Sequence, residues 1–257
     1  MSSSGKAASK GEGKLKSKIL AWDLELTPLT VYSWSLWPNS IPIQQIVKPQ
    51  EIMSFSARWV GSKKNIFRST HHDGSEAMLD ELWSLLDESD ALLSWNGQGF
   101  DTKHAMRQFL EAGKTPPSPS KEIDLMRTAK RRFKLPSNKL DYVAQLLGVG
   151  SKTTHTGFQL WLDCMEGKDK AWNLMRKYNK QDVDLLIELY EKLLPWIDNH
   201  PMLTDHGFTC RCGSTNIQLR GYHTTKASKF RKYVCKDCGS WGHDRHRVEA
   251  TSDLYPL

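Results

Sequence analysis

Carboxylates recur in three separated stretches of the chain: Asp23 and Glu25 in WDLEL, Asp101 in NGQGFD, and Asp182 in YNKQD, four residues after Tyr178. Hard divalent cations such as Mg²⁺ and Mn²⁺ prefer oxygen ligands, and each carboxylate brings charge as well as lone pairs. Four carboxylates from three segments are what a site for two such ions needs. Two ions roughly 3.5–4 Å apart can activate a water and stabilise the leaving oxygen of a phosphodiester. The set points to a nuclease.

Each cluster also has a plainer reading. In a strand, residues i and i+2 share a face, so Asp23 and Glu25 project together while Leu24 packs on the other side. That pair fits a cation site and a solvated edge strand about equally. Ala91–Trp95 reads as a buried strand ended by the turn signal Asn96-Gly97. Asp101 then opens an amphipathic helix, where it is either a ligand or an ordinary helix cap. Tyr178 and Asp182 are spaced i,i+4 and share one helix face, as a surface pair also would. Asp184, two positions on, faces elsewhere. Asp124 suits a helix start, where an acid complements the dipole.

Order and context add to these residues. The acidic strand, Asn96-Gly97-x-x-Phe100-Asp101 at a strand-to-helix junction and Tyr178-x-x-x-Asp182 on a late helix resemble the three exonuclease motifs of the DEDD superfamily. The tyrosine matches its DEDDy subgroup, and His155 lies too far upstream of Asp182 for the histidine alternative. The segment from Leu135 to Gly148 is similar to the stretch between the second and third motifs in proofreading domains of B-family polymerases. The opening from Asp23 to Trp34 is similar to stand-alone exonucleases often encoded by bacteriophages. The resemblance spans roughly residues 19–197. It implies a ribonuclease-H-like fold, 3′→5′ exonuclease activity, and two metals held by Asp23, Glu25, Asp101 and Asp182, with Asp23 bridging. Tyr178 would orient the attacking water. An unperturbed tyrosine has a pKa of about 10, so positioning is easier to defend than phenolate base catalysis. Leu24 and Leu26 with nearby aromatics are candidates for a wedge against a terminal base. Asn96 either touches substrate or holds the turn, the turn coming first.

Past Asn199-His200-Pro201 the composition changes. Cys210-x-Cys212-Gly213 is answered, after 22 intervening residues, by Cys235-x-x-Cys238-Gly239. Four thiolates suit one tetrahedral zinc, and the pattern resembles a zinc ribbon with strands near 216–222 and 229–235. The first knuckle is C-x-C where C-x-x-C is usual, which leaves His206, His223 and His243 as conceivable replacement ligands. Two disulfides are the alternative, disfavoured because nothing marks the chain as secreted. Cys164 stands apart as a free thiol.

Charge is uneven across the 257 residues, whose net charge is +7. Residues 1–18 carry five Lys and one Glu, residues 19–204 carry 22 basic and 23 acidic residues, and residues 205–257 carry nine and five. Basic ends around a neutral body suit attraction of phosphate. Lys130, Arg131 and Arg132 are candidate groove contacts or a solvated helix face. Arg231 and Lys232 are candidate contacts on the ribbon, whose interleaved aromatics serve stacking or a small core. No apolar run of about 18 residues is present, and the polar N-terminus lacks a secretory h-region, so a cytoplasmic protein is expected, in a host cell if phage-encoded.

The expected architecture is α/β. A ribonuclease-H-like mixed sheet flanked by helices occupies residues 19–204, after a disordered basic arm (1–18) and before a C-terminal zinc ribbon (205–257). Strands are expected at 19–26, 31–37, 52–59 and 90–95, and helices at 76–88, 101–112, 123–134, 138–147, 156–166 and 169–197. The favoured function is hydrolysis of DNA from single-stranded 3′ ends, releasing nucleoside monophosphates, with Mg²⁺ or Mn²⁺ in the site and zinc in the ribbon. The alternatives are an RNA-directed exonuclease and a non-catalytic nucleic-acid-binding accessory of replication or recombination. With no polymerase or helicase segment, replication or recombination proteins would act with it in trans.

Overall fold

A computed structural model describes residues 18–201, 209–225 and 228–250. The basic arm lies outside them except for Lys18, and so does His206. The chain opens with β1 (Ile19–Leu26), followed by β2 (Thr30–Val31), β3 (Ile46–Lys48), β4 (Ile52–Trp59) and β5 (Ile66–Ser69). A short α1 (Thr70–Asp73) leads into α2 (Ser75–Glu88), β6 (Ala91–Ser94), α3 (Asp101–Glu111), β7 (Lys121–Asp124) and α4 (Leu125–Arg132). Helices α5 (Leu140–Leu146), α6 (Phe158–Met165) and α7 (Asp169–Leu193) complete the body. The C-terminal part is β8 (Ile217–Thr224), β9 (Ser228–Cys235) and β10 (Trp241–Ala250).

Five strands form one mixed sheet in the order β5-β4-β1-β6-β7. The β4–β1 and β5–β4 pairs are antiparallel, while β6 and β7 run parallel to β1. As the middle strand, β1 is covered on both faces, which explains its near-continuous apolar run. Its alternation sorts the two cores. Leu20, Trp22, Leu24 and Leu26 face α2 and α3, whereas Ile19 and Ala21 face α4, α5 and α7. Asp23 and Glu25 continue that second face toward the end of the strand. Helix α2 presents Met78, Leu79, Leu82, Leu85 and Leu86 to the sheet, the three-and-four spacing that makes an apolar stripe. Helix α7, 25 residues and therefore roughly 37 Å long, crosses β1 and β4 on the acidic face.

The architecture is the expected mixed α/β, ribonuclease-H-like sheet flanked by helices. The elements differ in detail, and β3, β5 and the short α1 lie where none is expected, β5 widening the sheet beside β4. The strand expected at 31–37 is reduced to Thr30–Val31: beyond it Ser33 Oγ bonds the backbone of Ser35, and Trp37 N–H donates to Ser35 Oγ, local bonds that compete with a ladder. The helix expected at 123–134 begins at Leu125, because Lys121–Asp124 pairs in parallel with β6 and buries Ile123. In the ribbon β8 and β9 fall where expected, and β10 adds a third strand beside β9.

Candidate active site

Asp23 and Glu25 project from one face of β1, opposite the small Ser56 and Ser54 of β4. Helix α7 closes over them and brings Asp182. Oxygens of Asp23, Glu25 and Asp182 lie within 4.8 Å of one another. Three carboxylates so close, in part-buried surroundings, hold protons tightly. Burial, then Asp101, Asp182 and Glu25, push Asp23 well above the ordinary carboxylate range. Burial and then Asp182 push Glu25 to about 8, although Lys152 and a hydrogen bond from Trp161 pull it down. Burial likewise raises Asp182 against the opposing pull of Lys152. Such a cluster is unstable when fully ionised unless a cation joins it.

The donor set fits a hard divalent ion on a further ground. Asp182 is buried, and its Oδ1 has no hydrogen-bond partner. Its Oδ2 accepts a hydrogen bond from Lys152 Nζ at 2.5 Å. One oxygen is committed and the other is left for a ligand.

Asp101 stands beside this group rather than within it. It is the first residue of α3, and its Oδ1 accepts the Leu24 backbone N–H at 3.1 Å, so it reaches across to β1 instead of capping its own helix. Burial raises it to about 6, with Asp124 and Glu122 adding and the Leu24 N–H opposing. The turn before it is tight. Asn96 takes φ 72°, and a Cβ on Gly97 would lie 2.3 Å from Ser94 Oγ. Asn96 donates its backbone N–H to Asp124 Oδ1, and the same oxygen caps α4 through Arg127 N–H. Asn96 therefore holds the turn.

Tyr178 lies one turn before Asp182, and its hydroxyl accepts a hydrogen bond from Lys152 Nζ at 3.2 Å. Burial, Asp182 and Glu25 raise its pKa far above the ordinary phenol value, so the hydroxyl keeps its proton at neutral pH. Lys152 itself, despite burial, is held protonated by Asp182, which accepts its hydrogen bond. His155 and Trp161 pack edge-on against the Tyr178 ring. Asn179 Nδ2 donates to Asp23 Oδ2 at 2.8 Å. Neither Lys152 nor Asn179 stands out in the sequence. Asn179 carried a usable signal, an amide next to Tyr178 on the same helix. Lys152 comes from an irregular loop whose position only the fold reveals.

Other expected contacts fall elsewhere. Leu24 and Leu26 are buried in the core on the opposite face of the sheet from the acids, which removes them as a wedge against a base. Arg131 and Arg132 pair with Asp198, and Lys130 is exposed on the same last turn of α4. Asp198 is 16 residues past Asp182 along α7 and its extension, on the order of 20 Å away, so this basic run is not at the carboxylates. Asp184 is engaged by Arg58 and Asn65, in line with its facing elsewhere.

The four ribbon cysteines are free thiols gathered into one group. Cys210 and Cys238 sulfurs are 3.6 Å apart, and those of Cys212 and Cys235 are 3.8 Å apart. Zinc–sulfur bonds of about 2.3 Å in a tetrahedron set sulfurs about 3.8 Å from each other. The C-x-C knuckle thus places both of its sulfurs correctly, and the group fits zinc. Among the described histidines, His223 and His243 stack on one another instead. Arg231 pairs with Asp244, and Lys232 lies over the Trp241 ring.

The knuckle rests on the body. Cys238 packs against the core below α7, Arg211 donates to the Ile197 carbonyl, and Tyr190 of α7 shares a 2.7 Å hydrogen bond with His200.

Comparison with known proteins agrees with this geometry. The chain superposes on the structure of the family B DNA polymerase from the hyperthermophilic archaeon Pyrobaculum calidifontis with a TM-score of 0.55 at 15% identity. That match covers 70% of this chain and 25% of the polymerase, so the chain spans about a quarter of its length. No curated protein matches the chain. The family model of the RNase_H superfamily matches residues 47–194, a segment that includes Asp101, Tyr178 and Asp182 and begins after Asp23 and Glu25. With more than half of its residues matched, the chain belongs to the RNase_H superfamily.

Proposed function

We propose that this protein is a metal-dependent 3′→5′ exonuclease of the DEDDy type, acting on single-stranded 3′ ends of DNA and releasing nucleoside monophosphates. The observation that carries the reading is the meeting of Asp23, Glu25 and Asp182 within 4.8 Å, with Tyr178 one turn before Asp182 on the same helix. A fold shared with a DNA polymerase favours DNA as the substrate.

Asp23, Glu25 and Asp182 would hold Mg²⁺ or Mn²⁺, with Asp101 beside them and Asp23 central to a two-ion arrangement. Bound there, the ions would supply Lewis-acid activation of water and of the phosphodiester. The chain's own residues supply position. Tyr178 keeps its proton, so its role is to orient the attacking water by a hydrogen bond, not to take a proton from it. Lys152 fixes Asp182 and Tyr178 together, and Asn179 fixes Asp23. Zinc held by Cys210, Cys212, Cys235 and Cys238 would order the ribbon, which we assign to nucleic-acid binding through residues such as Arg231 and Lys232. We place the protein in the cytoplasm, working with replication or recombination proteins in trans.

The test is digestion of 5′- and 3′-labelled DNA and RNA oligonucleotides with Mg²⁺, Mn²⁺ or EDTA. Shortening from the 3′ end of DNA supports the reading. Tight binding without cleavage favours an accessory protein, and preferential loss of RNA moves the substrate class.

A further inference from the structure

The three most exposed large apolar side chains among the described residues, Trp34, Leu36 and Trp37, are gathered in one place, with Tyr32 beside them. Trp34 is 98% exposed, Leu36 90%, Trp37 88% and Tyr32 77%. They lie at the tip of a two-stranded ribbon, β2 with β3, that is not hydrogen-bonded into the five-stranded sheet. Its base is fastened by the pair Thr27 N–H to Glu51 O and Glu51 N–H to Thr27 Oγ1, and its neck by Tyr32 N–H to Gln45 O. The tip is ordered by local bonds. Ser33 Oγ donates to Ser35 O at 2.6 Å, and Trp37 N–H donates to Ser35 Oγ at 3.2 Å. The rings are thus held outward on a formed turn. Apolar side chains that a fold leaves out in water, on an ordered support, mark a binding surface.

Two features say what covers it. The ribbon continues from the end of the strand that carries Asp23 and Glu25, β2 beginning at Thr30, four residues after Leu26. Between Thr27 and Val47 there is not one charged residue, in a chain of net charge +7. A surface built for phosphate would carry lysine or arginine. A surface that holds nucleobases needs flat rings, because each base offers a π-face to an aromatic side chain, and the stack itself requires no charge.

We propose that Trp34 and Trp37 form a base-stacking platform that holds unpaired nucleobases of the substrate strand outside the carboxylate site. The inference rests on the nucleic-acid substrate assigned above and adds where its bases are held. The platform reads bases as π-faces, tolerates any sequence, and demands that the bases be unpaired. It favours frayed or single-stranded ends over closed duplex.

The experiment compares binding of the full chain to an oligothymidylate and to an abasic strand of the same length. Both are followed by fluorescence anisotropy in Ca²⁺ buffer, with strand integrity checked on a gel. The abasic strand keeps every phosphate and loses every ring. The wild-type chain should prefer the thymidylate by roughly tenfold, the order expected for one or two stacked bases. W34A/W37A should lose that preference while its affinity for the abasic strand and its salt dependence stay unchanged. W34F/W37F should keep most of it. Equal binding of both strands by the wild-type chain overturns the proposal, and so does an undiminished preference in W34A/W37A. A variant that keeps its base preference but loses self-association in sedimentation assigns the tip to a second copy of the chain. Because the readout is binding, a lost base preference in a chain that cleaves nothing would keep the platform and reject only the nuclease reading.

Discussion

Lys152 Nζ sits 2.5 Å from one oxygen of Asp182 while the other oxygen of the same carboxylate is buried without a partner. The lysine takes part of the site's charge and leaves the second oxygen of Asp182 free to serve as a metal ligand. It also reaches the Tyr178 hydroxyl, so one loop residue ties together two residues of one helix face.

Removing a carboxylate from this group should abolish cleavage without unfolding the protein. Asp23→Ala or Asp182→Asn is expected to lower the single-turnover rate by about 10³-fold or more, the several kcal/mol that a Lewis-acid ion supplies. Nucleic-acid binding should persist or tighten, since a repulsive charge is gone. Near-normal cleavage by Asp23→Ala would remove Asp23 from the site.

Lys152 and Tyr178 can be separated by paired measurements. Lys152→Met should bind Mg²⁺ more tightly, because a like charge is removed, yet cleave more slowly, because Asp182 and Tyr178 lose their common anchor. Tyr178→Phe should leave metal affinity unchanged and slow cleavage by about 10- to 100-fold, near the lower end for a positioned proton-bearing group. Titration calorimetry and single-turnover kinetics report the two quantities independently. A Lys152→Met protein unchanged in both would make the lysine a bystander.

Metal-free protein should lose stability as pH rises. Glu25 is raised from 4.5 to about 8 in the folded chain, so the fold binds its proton more tightly than the unfolded chain does. That contribution is complete below about 4.5 and is lost as pH passes through about 8. His72, His104 and His200 are lowered by burial and act in the opposite direction, but below about 6.5. With zinc retained in the ribbon, the interval from pH 7 to 8.5 reports the carboxylates together with Cys164, which burial raises to about 12, and only the carboxylate part responds to Mg²⁺. Mg²⁺ should raise Tm more at pH 8.5 than at pH 6, at about 2–4 °C per kcal/mol. Calorimetry showing an equal Mg²⁺ effect at both values would mean that these carboxylates do not bind it.

Much of this was legible before any fold was known. The alternation in Ile19–Leu26 gives a strand with two acids on one face, and Tyr178 with Asp182 gives a helix face, because strand and helix periods act locally. The strand Lys121–Asp124 was not legible, since its four residues pair with β6 only when the sheet assembles. Lys152 was hidden for the same reason: an irregular loop has no period from which its direction can be read. Leu24 and Leu26 show the converse. Their place next to the acids in sequence suggested substrate contact, yet a period of two sends them to the far face.

Zinc removal should reach the catalytic body. The sequence suggests two independent units, but Cys238 packs on the core and Arg211 holds the Ile197 carbonyl at the end of the helix that carries Tyr178 and Asp182. A chelator strong enough to strip the ribbon should lower the main unfolding transition as well as disorder the cysteines. Scanning calorimetry with and without zinc checks this, and a body transition that does not move would establish the two units as uncoupled.

In the proposed function the carboxylate cluster removes nucleotides one at a time from a 3′ end. Its most direct measurement is a time course with a 3′-labelled single-stranded DNA and Mg²⁺, resolving the first labelled product. This product should be the mononucleotide at the earliest time points, and none should form with Asp182→Asn or EDTA. A first product several nucleotides long, or release undiminished in Asp182→Asn, would contradict it.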